Sequence, residues 1–149
     1  MVERIALAGG LFVVLAFAHF FVDWIFQSHK EAMAKSTNWK VRAVHCTVYT
    51  FGMFLPLMLM GLGPLFLFIS LGVLWLSHFF IDTYVPVFLW AKYVRKMPGL
   101  SKETAKEIFS QPLNLILAIV VDQLFHLTFL WVPVILALSH WQWVYYDTF

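Results

Sequence analysis

Residues 64–90 read PLFLFISLGVLWLSHFFIDTYVPVFLW. The run contains no Lys, Arg or Glu, and its one carboxylate is Asp82. A helix needs about 20 consecutive, mostly apolar residues to cross a bilayer. This stretch therefore predicts a transmembrane helix. It also poses a question, because His78 and Asp82 stand four apart within it. Residues at i and i+4 lie on one helix face, one turn apart.

The rest of the chain has the same character. Of 149 residues, 62% are hydrophobic and 12% charged, and the mean hydropathy is +0.81. Soluble domains are about 45–50% apolar and about 25% charged. The composition excludes an ordinary soluble domain and predicts one integral membrane domain over 1–149, with no room for a separate soluble unit. The formal net charge of +2 says little until its distribution is read, and no nucleic-acid partner is expected. The single Cys46 cannot form an internal disulfide and points to the reducing side of a membrane.

Four spans are expected, over about 5–27, 41–60, 64–90 and 112–139. The fold class is all-α: a polytopic membrane protein built as a four-helix transmembrane bundle. The turn GLGP at 61–64 makes spans two and three antiparallel neighbours. Pro112 suits the first turn of span four. Pro86 predicts a kink in span three just after Asp82, leaving VFLWAKYVRK as an interfacial tail. The first segment has no small-x-small cleavage site, so it is expected to be a span rather than a removed signal.

The basic residues set an orientation. Lys30, Lys35, Lys40, Arg42, Lys92, Arg95, Lys96, Lys102 and Lys106 fall in the loops after spans one and three, whereas Arg4 stands alone on the other side. Basic loops stay in the cytoplasm. The expectation is a bacterial inner-membrane protein with both termini outside. Trp141, Trp143, Tyr145 and Tyr146 would form the outer aromatic belt, and Trp39 and Trp90 the inner one. The stretch SKETAKEIFSQ is amphipathic, with Ser101 as N-cap, and would lie against anionic lipid headgroups.

The polar residues inside the spans carry the function. His19, Asp23 and Gln27 form one stripe of span one, and His45 begins span two. His78 and Asp82 stand in span three, Asp122 and His126 in span four. All fall at mid-membrane or in the cytoplasmic half. Chance predicts about 0.3 His/Asp pairs at separation four, and the chain has three. Buried membrane charges cost about 2.5–3.5 kcal/mol each on insertion scales. Interhelical hydrogen bonds, the plain structural alternative, return only about 0.6 kcal/mol each. A cation neutralises the cluster better. His and Asp suit zinc, manganese or iron, and the ligand inventory fits one or two divalent ions. The expected ligands are His19, Asp23, His78, Asp82, Asp122 and His126, with His45 and Asp122 as acid/base groups and Gln27 orienting a ligand.

The words AHFFVDW at 18–24 and SHFFIDT at 77–83 nearly repeat. They suggest a tandem duplication of two-helix units. No G-x-S-x-G, HExxH, P-loop or CxxC motif is present.

The stretch AHFFVDWIFQSHKEAMAKSTNWKVRAVHCTVYT, taken with HFFID and DQLFH, resembles the domain-of-unknown-function 3307 family of small bacterial and phage membrane proteins. The matching positions are His19, Asp23, Gln27, Lys35 or Lys30, His45 and Tyr49, followed by His78, Asp82, Asp122 and His126. The resemblance covers nearly the whole chain. It implies the bundle and the polar positions, and it carries no activity.

These readings converge on a membrane-embedded, metal-dependent hydrolase. Water acidified by the ion would attack a phosphoester or acyl bond of a lipid or lipid-linked substrate from the cytoplasmic side. Two alternatives stay open. One is a proton or metal-ion transporter, expected to act as a homo-oligomer. The other is a structural subunit of a larger membrane assembly.

Overall fold

The computed structural model describes residues 2–97 and 99–146, with the side chains of all of these except 102 and 143–146. Every regular element among them is helical. In chain order these are α1 (Val2–Ile25), α2 (His29–Ala34), α3 (Trp39–Leu59), α4 (Pro64–Ile81) and α5 (Val85–Leu89). A π-helical turn (Trp90–Val94) follows, and then α6 (Lys102–Ser110), α7 (Pro112–Phe129) and α8 (Trp131–Tyr146).

Three stretches are long and apolar enough to cross a membrane: Val2–Ile25, Pro64–Ile81 and the joined Pro112–Gln142. The expected second span forms as the 21-residue α3 but falls outside that set. Arg42, His45 and Tyr49 dilute its apolar content, and all three are turned inward and buried.

Prolines set the ends. Pro64 and Pro112 open α4 and α7, where a missing N–H is tolerated. A proline inside a helix clashes with the carbonyl four residues earlier. Pro86 bars that bond to Asp82, and α4 stops at Ile81 with Asp82 as its C-cap. Tyr84 then takes a left-handed φ of 61°. The expected continuous span over 64–90 is thus two helices with an offset at Asp82–Tyr84. Pro133 does the same to the carbonyl of Phe129, where α7 ends, so the expected fourth span is also two segments.

Side-chain caps set other starts. Asn38 accepts from the N–H groups of Lys40 and Val41 to open α3. Ser28 with Glu31 makes a capping box on α2, and Ser101 with Thr104 makes one on α6.

The four long rods close a ring: α1 packs on α3, α3 on α4, α4 on α7 and α8, and α8 on α1. Leu15, Met53, Leu57, Leu74, Leu130 and Val134 fill the half of the interior away from the basic loops, essentially without exposure. Where α1 crosses α3, a Cβ on Gly52 would lie 2.5 Å from a Val22 methyl, so glycine permits that approach. A smaller core of Val87, Ala118 and Val121 joins α5 to the start of α7. Trp141 is part-buried, and the other three residues of the expected outer aromatic belt lie outside the described side chains.

Candidate metal centre

α1, α3, α4 and α7 each turn polar side chains into one buried cluster at the basic end of the ring. His19, Asp23, His78 and Asp82 are at most 1% exposed, and His45 and His126 are 4% exposed. Asp122, Gln123 and Lys35 close the edge at 8–9%. The helical repeat explains the convergence. His19/Asp23, His78/Asp82 and Asp122/His126 are i, i+4 pairs on inward faces, and His45 and Tyr49 form a fourth such pair on α3.

At the centre, His45 Nε2 lies 3.0 Å from Asp23 Oδ1 and 3.0 Å from His78 Nε2. His78 Nε2 is 3.4 Å from Asp23 Oδ1. Asp82 Oδ2 is 3.5 Å from His45 Nε2 and 3.4 Å from His78 Nε2. His45 Nε2 and His78 Nε2 thus lie side by side, each 3.0–3.5 Å from one carboxylate oxygen of Asp23 and one of Asp82, and Asp23, His45 and His78 form a trio whose donor atoms are all within 4.8 Å of one another. Zinc bonds of about 2.0–2.1 Å in a tetrahedron put neighbouring donors about 3.3–3.4 Å apart. The donor set and its spacing fit a divalent ion.

A second trio, Asp82, Asp122 and His126, also brings its donor atoms within 4.8 Å of one another. His126 Nδ1–H donates to the Asp122 carbonyl at 2.9 Å, which leaves Nε2 free. That Nε2, both Asp82 carboxylate oxygens and Asp122 Oδ1 find no hydrogen-bond partner. Lys35 Nζ pairs with Asp82 Oδ1 at 2.9 Å. Buried polar atoms are normally paired, so the unpartnered His126 Nε2 and Asp122 Oδ1 on facing groups mark a place for a ligand. Cys46, fully buried, offers a soft donor beside His78 and Asp82.

His19, expected as a ligand, has a hydrogen-bond partner at each ring nitrogen. Tyr49 O–H donates to its Nδ1 at 3.0 Å. Its Nε2–H then donates to Gln123 Oε1 at 3.1 Å. The Gln123 amide NH₂ passes on to Asp122 Oδ2 at 3.3 Å and Asp23 Oδ2 at 3.5 Å. Both ring nitrogens of His19 are engaged, and the chain of donors orients two carboxylates. Gln27, expected as an orienting group, lies 3.2 Å from His45 Nδ1 through its amide nitrogen. With the amide turned over, its oxygen would accept from Nδ1–H and leave Nε2 free as a ligand.

Lys35, Gln123, Tyr49 and Arg42 complete the site. Lys35 Nζ is also 3.4 Å from His45 Nε2 and 3.8 Å from Asp23 Oδ1. Burial pulls its pKa down, but the Asp23 and Asp82 carboxylates outweigh that and hold it above the ordinary lysine value. Arg42 Nη1 donates to the carbonyls of Lys35 (2.9 Å) and Ser36 (3.2 Å).

The fold and site therefore define an all-helical protein with a buried His/Asp cluster and three stretches long and apolar enough to cross a membrane. The family described as "Protein of unknown function (DUF3307)" matches residues 11–148, and the chain belongs to that family. Comparison with curated proteins and with solved structures finds no match.

Proposed function

We propose that the chain is a membrane-embedded, metal-dependent hydrolase acting on a lipid or lipid-linked substrate from the cytoplasmic side. The observation that carries this reading is the buried pair of His45 Nε2 and His78 Nε2, 3.0 Å apart, each 3.0–3.5 Å from carboxylate oxygens of Asp23 and Asp82.

The bundle is read as four-spanning, with α3 as the second span. Its outward positions support this: Val44, Val48, Phe51, Leu55 and Leu59 are apolar and exposed, while Arg42 and His45 face inward. The basic loops put the polar cluster toward the cytoplasm. The apolar packing of Leu15, Met53, Leu57 and Leu74 beyond it offers ions no polar route outward, which supports hydrolysis over transport. An apolar groove of about 660 Å³ runs along the outer face of α1 and α3, lined among others by Phe17, Phe21, Phe51 and Leu55. It supports a substrate with acyl chains. The near-repeat of 18–24 and 77–83 supports a duplicated origin for the two helix pairs.

Asp23, His45, His78 and Asp82 would hold the ion. A divalent ion in that position polarises a phosphoryl or acyl oxygen and lowers the pKa of a water. Gln27 keeps the His45 ring in register, and Gln123 holds the Asp23 and Asp122 carboxylates. Asp122, with Oδ1 unbonded, is placed to take the proton from water.

The test is elemental analysis of the purified chain beside a His78→Ala/Asp82→Ala variant. The expected result is zinc, manganese or iron in the first and near none in the second. The native chain should also release headgroup from phospholipid vesicles, and a chelator should stop it. Metal absent from both proteins ends the reading.

A further inference from the structure

We propose that the Lys35 ammonium serves as the second cation of this centre, so that the cluster holds one divalent ion and not two. The inference rests on the metal reading above and concerns how many ions the cluster takes.

Ligand count alone favours two ions. Asp23/His45/His78 and Asp82/Asp122/His126 share no residue, and in each trio the donor atoms lie within 4.8 Å. Two-metal sites place their ions about 3.5–4 Å apart. Asp82 has the bearing of a carboxylate shared between two cations. Its Oδ2 faces His45 and His78 at 3.5 and 3.4 Å. Its Oδ1 faces Lys35 Nζ at 2.9 Å and His126 Nε2 at 3.8 Å. The ammonium thus stands on the Oδ1 side, where a second ion would be.

Lys35 is not a loose surface lysine that has folded inward. Its N–H donates to the Glu31 carbonyl at 2.8 Å as the C-cap of α2. Its carbonyl accepts from Arg42 at 2.9 Å. Arg42 is itself buried at 8% exposure, with its guanidinium 4.5 Å from the Phe79 ring centre. The backbone that delivers the ammonium is anchored on both sides of the residue.

Charge points the same way. Among the described residues the buried carboxylates are Asp23, Asp82 and Asp122. Even with all three ionised, Lys35 leaves two negative charges, and the buried Arg42 guanidinium reduces the sum to one, which a single divalent ion more than offsets. A second ion would add two further positive charges in a low-dielectric interior with no buried anion to meet them, a costly arrangement.

The experiment saturates the full-length protein, purified in detergent, with Zn²⁺, removes the excess and measures zinc per chain. The native protein and Lys35→Arg should each hold one. Lys35→Met, which keeps the stem and loses the charge, should hold two, as should Lys35→Gln, which keeps a polar end for Asp82 if the methionine variant does not fold. Adding Asp122→Asn/His126→Ala to the uncharged variant should return the count to one. Two zinc ions on the native chain overturn the proposal and leave the metal reading intact, as does one zinc on both uncharged variants. No zinc on any protein overturns both.

Discussion

At the scale of single residues, two nearly identical words of sequence do different work. His78 turns Nε2 to the carboxylates of Asp23 and Asp82. His19 holds Tyr49 with one nitrogen and Gln123 with the other. The i, i+4 spacing put both histidines on inward faces, and that much was legible from the text. Spacing says which face a ring lies on, not what its nitrogens meet, so His19 read as a ligand. From the residues alone Lys35 read as a solvated loop lysine, and only the resemblance singled it out, with Lys30 as the alternative; the Arg42 and Glu31 contacts anchor the backbone that turns it inward. Gln123 was hidden because an uncharged amide between Asp122 and His126 gives no electrostatic signal. The orienting chain makes a prediction. Gln123→Leu should keep the metal count and weaken zinc affinity by about 10–100-fold, the usual cost of removing a group that orients ligands. His19→Gln should likewise bind zinc more weakly but still bind it. Competition with a chelator of known affinity measures both, and complete loss in His19→Gln would make that residue a ligand after all.

At the scale of elements, one proline decides where the site can be. Pro86 stops α4 at the carbonyl of Asp82, and the offset at Tyr84 lets α5 pack against α7. The break after Asp82 was readable from the proline alone, because the clash is local. The split at Leu130 follows the same rule from Pro133, but the unbroken apolar text of 112–139 masked it. Helix contact depends on glycine in one place and not in another. At Gly52 a side chain would strike Val22, with methyl groups at 2.5 and 2.8 Å from the new Cβ. At Gly72, on the exposed face of α4, a Cβ meets nothing within 4 Å. Gly52→Val should therefore lower stability by about 1–3 kcal/mol through overpacking between α1 and α3. Gly72→Ala should raise it by about 0.5–1 kcal/mol through helix propensity. Denaturant unfolding in detergent, followed by circular dichroism, separates the two. Equal effects would mean that α1 and α3 do not meet at Gly52.

At the scale of the molecule, length and charge together set the position in the bilayer. Pro112–Gln142 has 31 residues, and at about 1.5 Å each it is about 46 Å long, against a hydrocarbon core of about 30 Å. The surplus lies at the basic end, where Val87, Ala118 and Val121 pack α5 against the first turns of α7 and α6 joins the same turns. On the proposed four-span reading, that overhang would lift α6 clear of the hydrocarbon. On the same reading the His/Asp cluster would lie within reach of the cytoplasmic surface, because Asp122 lies ten residues into α7, or about 15 Å. Thr37 and Glu107 should then face the cytoplasm and Glu3 the opposite side, all three being exposed. Cysteine introduced singly at each position reports the side through a membrane-impermeant maleimide, and Cys46 is a silent background because it is fully buried. In sealed right-side-out vesicles Glu3→Cys should label at once, and Thr37→Cys and Glu107→Cys only after the membrane is opened. The reverse pattern would turn the cluster to the outer side and remove the cytoplasmic route for substrate. Labelling of Thr37→Cys and Glu107→Cys from opposite sides would break the four-span topology itself, because α3 and α4 could not then both cross.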